Sequence, residues 1–106
     1  MVNAVRGEAE IVLGGERRVM RLTLGALAGL EAKLGAGGIA ALVERFESGA
    51  FGAADLIALI GAGLRGAGAQ LSDEEVAAME LEGGPAGAAR AAARLLVASF
   101  APLDPE

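Results

Sequence analysis

AADLIALIGAGLRGAG, residues 53–68, is the most apolar stretch of the chain and fits two incompatible structures. As a helix it places Leu56, Ile60 and Leu64 in one row, four residues apart, and Ala54, Ala58, Ala62 and Gly66 in the next. The first row fills a core and the second admits a close neighbour. As strand, turn and helix, it presents Gly61-Ala62-Gly63-Leu64-Arg65-Gly66, which matches the G-x-G-x-x-G dinucleotide fingerprint. Leu56–Ile60 then imitates the first strand, and Glu80 or Glu82 lies at a suitable distance for the ribose-binding acid. One structure makes a scaffold and the other a nucleotide-binding module.

The flanking sequence favours the helix. Gly52 can serve as N-cap, Phe51 and Leu56 as a hydrophobic staple, and Asp55 falls in the first turn, where the positive end of the helix dipole favours an acid. A dinucleotide fold needs several parallel strands joined by helices, and nothing after Leu64 has strand character. Leu71-Ser72-Asp73-Glu74-Glu75-Val76 is a Ser-x-x-Glu capping box with its own staple, so a new helix starts at Ser72, where the fingerprint helix should still be running. With residues 53–68 helical, alanine at Gly63 is expected to be neutral or mildly stabilising wherever there is space.

Working outward, Glu8–Leu13 and Arg18–Leu22 alternate as half-buried strands around Gly14-Gly15. A two-residue loop would put Ile11 opposite Arg18. A four-residue loop, Gly14 to Arg17, instead pairs Ile11 with Met20, Ala9 with Leu22, Val12 with Val19 and Glu10 with Arg21, and this register is expected from cross-strand pairing. A lone hairpin is marginally stable at best, so the Ile11 and Met20 face must lie on the helices or on another chain. Thr23 is placed to cap a helix over Leu24–Leu34, ended by Gly35–Gly38. Ile39, Leu42, Val43 and Phe46 define a short amphipathic helix closed by Gly49. The helix begun at Ser72 should stop at Gly83-Gly84, and Pro85 can open a last helix to about Phe100. In that helix Ala88, Ala92, Leu95, Leu96 and Phe100 face inward while Arg90 and Arg94 project together. The expected fold class is α+β, mainly α: an N-terminal β-hairpin and about five short helices in a single small domain. The hairpin occupies about 8–22, the helical part about 23–100, and a frayed tail 101–106.

Composition limits the function. At 106 residues the chain can bury one modest core. Its 54% hydrophobic content includes only three aromatics, Phe46, Phe51 and Phe100, so packing must rest on Leu, Ile, Val and close contacts at Ala and Gly. Seventeen glycines imply modest stability, or a partner that supplies some of it. No cysteine is present, which removes disulfides and thiolate metal sites and fits a cytoplasmic setting. The N-terminus has no apolar run of a secretory signal, and Leu56–Leu64 falls short of the ~20 residues of a membrane span, so a soluble protein is expected. Net charge is −5. The excess of acid lies after Ala53, which argues against direct nucleic-acid binding.

Chemistry is equally restricted. Histidine, cysteine, tyrosine and tryptophan are all absent, and with them the usual general bases, thiolate nucleophiles and imidazole ligands. Ser72 serves better as a helix cap than as a nucleophile. Asp73, Glu74, Glu75, Glu80 and Glu82 lack the spacing of a calcium loop and fit a solvated helix N-terminus. Arg90 and Arg94 could hold an anion, but an exposed face or a pairing with the acidic helix is the simpler use. No catalytic residue, cofactor or metal is expected. The candidate interaction surface is Ile11, Met20, Ala58, Ala62, Gly66, Arg90 and Arg94; the alternative is a small nucleotide-binding module built on Gly61, Gly63 and Gly66.

Arg6-Gly7-Glu8, Arg21-Leu22-Thr23-Leu24-Gly25-Ala26-Leu27 with Leu30-Glu31, Asp55–Gly68 and Leu71–Val76 together resemble the small gene transfer agent family proteins of alphaproteobacteria, encoded among phage-derived tail genes. The likeness spans most of the chain in the order of its segments. Members carry labels of phage tail tube protein or tail assembly chaperone, and either implies a non-enzymatic role in building a phage-like particle. A tube subunit contributes sheets to a ring-closing barrel, whereas this chain offers one hairpin against about five helices. The resemblance therefore implies, first, a tail assembly chaperone that covers the apolar, helical tape measure protein. A structural tail component is the alternative. The implied partners are tape measure and tail tube proteins and further copies of the chain as a homo-oligomer, without nucleic acid or membrane. The implied location is the cytoplasm or the particle itself.

Overall fold

The computed structural model describes residues 7–35 and 37–100, and the side chains of Ile39 and Phe100 are outside that description. The tail 101–106, expected to fray, also lies outside the described residues. An antiparallel hairpin, β1 (Glu8–Leu13) and β2 (Glu16–Arg21), is followed by five helices: α1 (Leu24–Leu34), α2 (Ile39–Glu47), α3 (Ala53–Gly66), α4 (Asp73–Ala78) and α5 (Gly84–Phe100). This is the expected mainly helical α+β fold.

The helix starts follow from local chemistry. Thr23 Oγ1 accepts from Ala26 N at 3.0 Å, and Gly35 closes α1 with φ 70° while donating to Glu31 O. Asp55 accepts from Gly52 N at 2.9 Å at the head of α3. Ser72 Oγ accepts from Glu75 N at 3.1 Å while Ser72 N donates to Glu75 Oε1 at 2.8 Å, which completes the capping box of α4.

Two local expectations are corrected. The hairpin uses the short loop: Ala9 faces Met20, Ile11 faces Arg18 and Leu13 faces Glu16. Gly14 and Gly15 have φ of 59° and 83°, the paired left-handed conformation of a two-residue turn whose twist matches the strands. Turn chemistry therefore outweighs the better cross-strand pairing of the longer loop. Arg18, opposite Ile11, keeps its head partly in solvent and reaches Glu16 Oε1 at 3.2 Å, although its Nε is left buried without a partner. Glu10 meets Arg17, at 3.9 Å, in place of the expected Arg21.

The second correction concerns α4, which ends at Ala78 rather than at Gly83-Gly84. Residues 80–82 leave the helix to pair with β1: Gly14 N donates to Glu80 O at 2.8 Å and Glu82 N to Val12 O at 3.2 Å. These bonds cover the edge of β1 that β2 leaves open.

The core forms around α3. Seven consecutive residues, Ala58 to Leu64, are buried, which requires neighbours on every side of the helix. Those neighbours are β2, α1, α4 and α5. Leu59, Leu64, Met20, Leu42 and Leu95 are among the largest fully buried side chains, and Ile11 and Leu13 join them from β1. The hairpin's apolar face thus rests on α3 and α5, and its burial stabilises strands that would not persist alone.

Candidate functional site

The glycines of α3 show what the central stretch is built to do. Each faces a neighbour at a distance that leaves no space for a side chain. A Cβ on Gly61 would overlap Asp73 Oδ1, and one on Gly66 would overlap the backbone carbonyl oxygen of Arg21. On Gly63 it would lie 2.7 Å from Leu95 Cδ2 and 3.0 Å from Met20 Cβ. The fingerprint glycines are therefore consumed by helix and strand packing, inside a helix whose middle is buried. A nucleotide loop needs them turned toward a ligand, with backbone N–H groups free to meet a pyrophosphate. The same contacts correct the expectation for Gly63, because the space that would make alanine harmless there is already filled.

The charged residue within that motif has a structural role as well. Arg65 Nη1 donates to Leu71 O and to Asp73 Oδ1, both at 2.9 Å, and Lys33 Nζ also pairs with Asp73. Asp73 thus joins α1, α3 and α4. Burial pushes its carboxyl upward, but the hydrogen bonds and charges of Lys33 and Arg65 outweigh burial and hold it below the ordinary carboxylate range. Arg45 plays a similar part at the other end, donating to Leu34 O at 2.8 Å and approaching Asp55 Oδ1 at 3.5 Å. Among the described residues no group of three acids stands close enough to hold a metal ion, and no helix is long and apolar enough to cross a membrane.

Three of the grooves on the surface of the described residues bear on contact with a partner. The first, about 340 Å³, runs between α1 and α3. Its walls include Gly25, Ala26 and Gly29 on one side and Ala58, Ala62 and Gly66 on the other, with Lys33 and Arg65 also in its lining. Leu24, 87% exposed, stands between the lining residues Thr23 and Gly25. The second, about 320 Å³, is polar and holds Arg17, Arg90 and Arg94 beside Glu10 and Glu82. Arg94 donates to Glu10 O at 3.2 Å. The third, also about 320 Å³, is apolar, with Leu56, Ile57, Val76, Met79 and Leu81 among its walls and no charged residue in its lining.

The seven candidate surface residues are thereby divided. Ala58, Ala62 and Gly66 come together in the first groove, and Arg90 and Arg94 in the second. Ile11, Met20, Ala58 and Ala62 are 2%, 0%, 3% and 4% exposed, so these four belong to the core, and Ala58 and Ala62 form only the floor of the first groove. Gly25 and Gly29, the opposite wall of the first groove, were absent from the sequence-derived set. Their four-residue spacing was the available signal. The third groove could not be read from the chain, since it depends on α4 ending early.

A buried α3 braced by a hairpin, with grooves open on both sides of it, is the frame on which the functional surfaces of the chain are carried. A family model described as phage tail tube protein, GTA-gp10, matches residues 6–102, and the chain belongs to that family. It is a non-enzymatic phage tail structural or assembly protein. Comparison with curated proteins and with solved structures finds no match for the chain.

Proposed function

We propose that the chain is a tail assembly chaperone that holds the tape measure protein until the tail tube forms around it. The observation that carries this reading is the groove between α1 and α3. Gly25, Gly29, Ala58, Ala62 and Gly66 give it a low wall on each side, so a helix of another protein can approach closely and exchange dispersion contacts over its length. Exposed Leu24 adds an apolar anchor beside it. Such burial is reversible because it requires no rearrangement of the core. Exposed Gly25 and Gly29 with half-buried Gly66 form the partner surface over a floor of Ala58 and Ala62, Arg90 and Arg94 a second contact region, and Ile11 and Met20 the packing beneath. The protein acts in the cytoplasm and self-associates.

The family description favours a second reading, a component of the tail tube itself. A tube subunit closes a ring through extended strands. Among the described residues the sheet has two strands and one short bridge to Leu81, which supports the chaperone instead. Co-expression of a tagged chain with the tape measure and tail tube proteins separates the readings. The chaperone recovers the tape measure protein, and Gly29→Leu, which places a side chain where nothing lies within 4 Å, abolishes that recovery while leaving the fold intact. Recovery of the tube protein alone would overturn the proposal.

A further inference from the structure

We propose that the polar groove between β1 and α5 is a binding site for an oxyanion, a phosphate or a carboxylate, held by Arg90, Arg94 and the backbone N–H of Val12. The groove lies on the outer edge of β1. In a hairpin closed by a two-residue turn the flanking residues exchange both of their bonds. Leu13, Ile11 and Ala9 therefore bond to β2, while Val12 and Glu10 point their backbone groups away from it. Both outward carbonyls are occupied: Val12 O accepts from Glu82 N at 3.2 Å, and Glu10 O from Arg94 Nη2 at 3.2 Å. Between them on the strand edge lies Val12 N, which has no hydrogen-bond partner among the described residues.

The two arginines bracket this donor. They stand one turn apart on α5 and line the same groove. Arg94 reaches the strand at Glu10 O. Arg90 reaches the other end, where its Nη2 lies 3.1 Å from the position that a Cβ on Gly83 would take. Gly83 follows Glu82, whose N–H holds Val12 O, so the two guanidinium groups flank Val12 N along the edge.

Donors are thus in excess over acceptors. The lining carries Arg17, Arg90 and Arg94 against Glu10 and Glu82, and Arg17 and Glu10 lie 3.9 Å apart and offset one another. Neither Arg90 nor Arg94 forms an ion pair among the described residues, and Glu82 forms none. Buried Ile11 and Ala91 also line the groove, and such an apolar backing strengthens charge contacts made against it. An oxyanion brings a negative charge and several acceptor oxygens, so it can meet both guanidinium groups and the backbone N–H together. Its source is either a free phosphate ion or an acidic side chain of a partner.

The site is separate from the α1–α3 groove, and the inference does not depend on the chaperone reading. Titration of the isotope-labelled full chain with inorganic phosphate, and separately with acetate, tests it by NMR at fixed ionic strength against a chloride background. Saturable shifts should appear at the Val12 amide and at the Arg90 and Arg94 side chains. Tighter binding of phosphate assigns the site to the free ion, whereas equal or tighter binding of acetate assigns it to a partner's carboxylate. Arg90→Gln should weaken binding roughly tenfold, the worth of one charge-assisted contact, with folding verified by circular dichroism. Arg90→Gln/Arg94→Gln should abolish it. Glu82→Gln should tighten binding, because it removes a carboxylate that repels the anion. No saturable shift with either anion up to ~10 mM, a weak limit for a specific site, would overturn the proposal. So would Arg90→Gln binding as the wild type does, or Glu82→Gln binding no more tightly. Each of these results leaves tape measure recovery and its Gly29→Leu test untouched, so failure here is distinct from failure of the chaperone reading.

Discussion

Replacing Gly66 by alanine tests how closely α3 approaches the hairpin. The added Cβ meets the Arg21 carbonyl oxygen, lies 3.1 Å from the Arg21 carbonyl carbon and 3.4 Å from Thr23 N. None of these atoms can rotate away. Arg21 ends β2 and Thr23 caps α1, so relief requires moving a strand end or a helix start. Overpacking costs about 1–3 kcal/mol, and a backbone obstacle belongs near the upper end. Alanine returns at most ~1 kcal/mol through helix propensity, less at the last residue of a helix. The net loss is about 2 kcal/mol, a fall in Tm of roughly 10 °C for a chain of this size. Gly63→Ala should fall less, because Leu95 Cδ2 at 2.7 Å is the end of a side chain, although Met20 Cβ at 3.0 Å limits the adjustment. Gly29→Ala has nothing within 4 Å and should raise stability by ~0.5–1 kcal/mol. Thermal and urea denaturation followed by circular dichroism measure all three. If Gly66→Ala were as stable as the wild type, the packing assigned to α3 would be wrong.

Other outcomes follow from single contacts. Ser72→Ala removes the acceptor for Glu75 N and should cost ~1 kcal/mol in urea denaturation, with tape measure recovery unchanged. Asp73 has a depressed folded-state pKa, so its contribution is present above the unfolded value near 4 and is lost as pH falls through the folded value. Wild-type stability should therefore fall more steeply below about pH 4 than that of Asp73→Asn, and equal slopes in acid titrations would remove Asp73 from its joining role. Gly14→Ala forces a Cβ into a left-handed turn position and should destabilise by about 1–2 kcal/mol, whereas Gly14→Asn should be milder. A thermal-shift titration with NAD, NADP or FAD should leave Tm unchanged, and a saturable rise would restore the nucleotide reading of Gly61, Gly63 and Gly66.

The contrast between α1 and the hairpin shows what the chain discloses by itself. Thr23, Gly35 and the leucines between them act within a few residues of one another, and α1 occupies the expected Leu24–Leu34. The Ser72 box is equally local, and α4 begins where it predicts. The end of α4 depends on a distant strand edge that residues 80–82 happen to cover, and no nearby residue encodes that. Hairpin register turned on two glycines whose left-handed conformation outweighed a better set of side-chain pairs. The small residues of α3 announced close approach, but not which atoms approach. Only the assembled fold shows Asp73, Leu95, Met20 and Arg21 against them and leaves Ala58, Ala62 and Gly66 along an open groove.

The chaperone reading is tested most directly by the amount of this chain in purified particles, measured by quantitative mass spectrometry against the tail tube and tape measure proteins. A chaperone is released as the tube polymerises, so finished particles should contain the tape measure and tube proteins and almost none of this chain, while lysates should contain it bound to the tape measure. Stoichiometric presence in finished particles, in proportion to the tube protein, would contradict the account and make the chain a structural part of the tail.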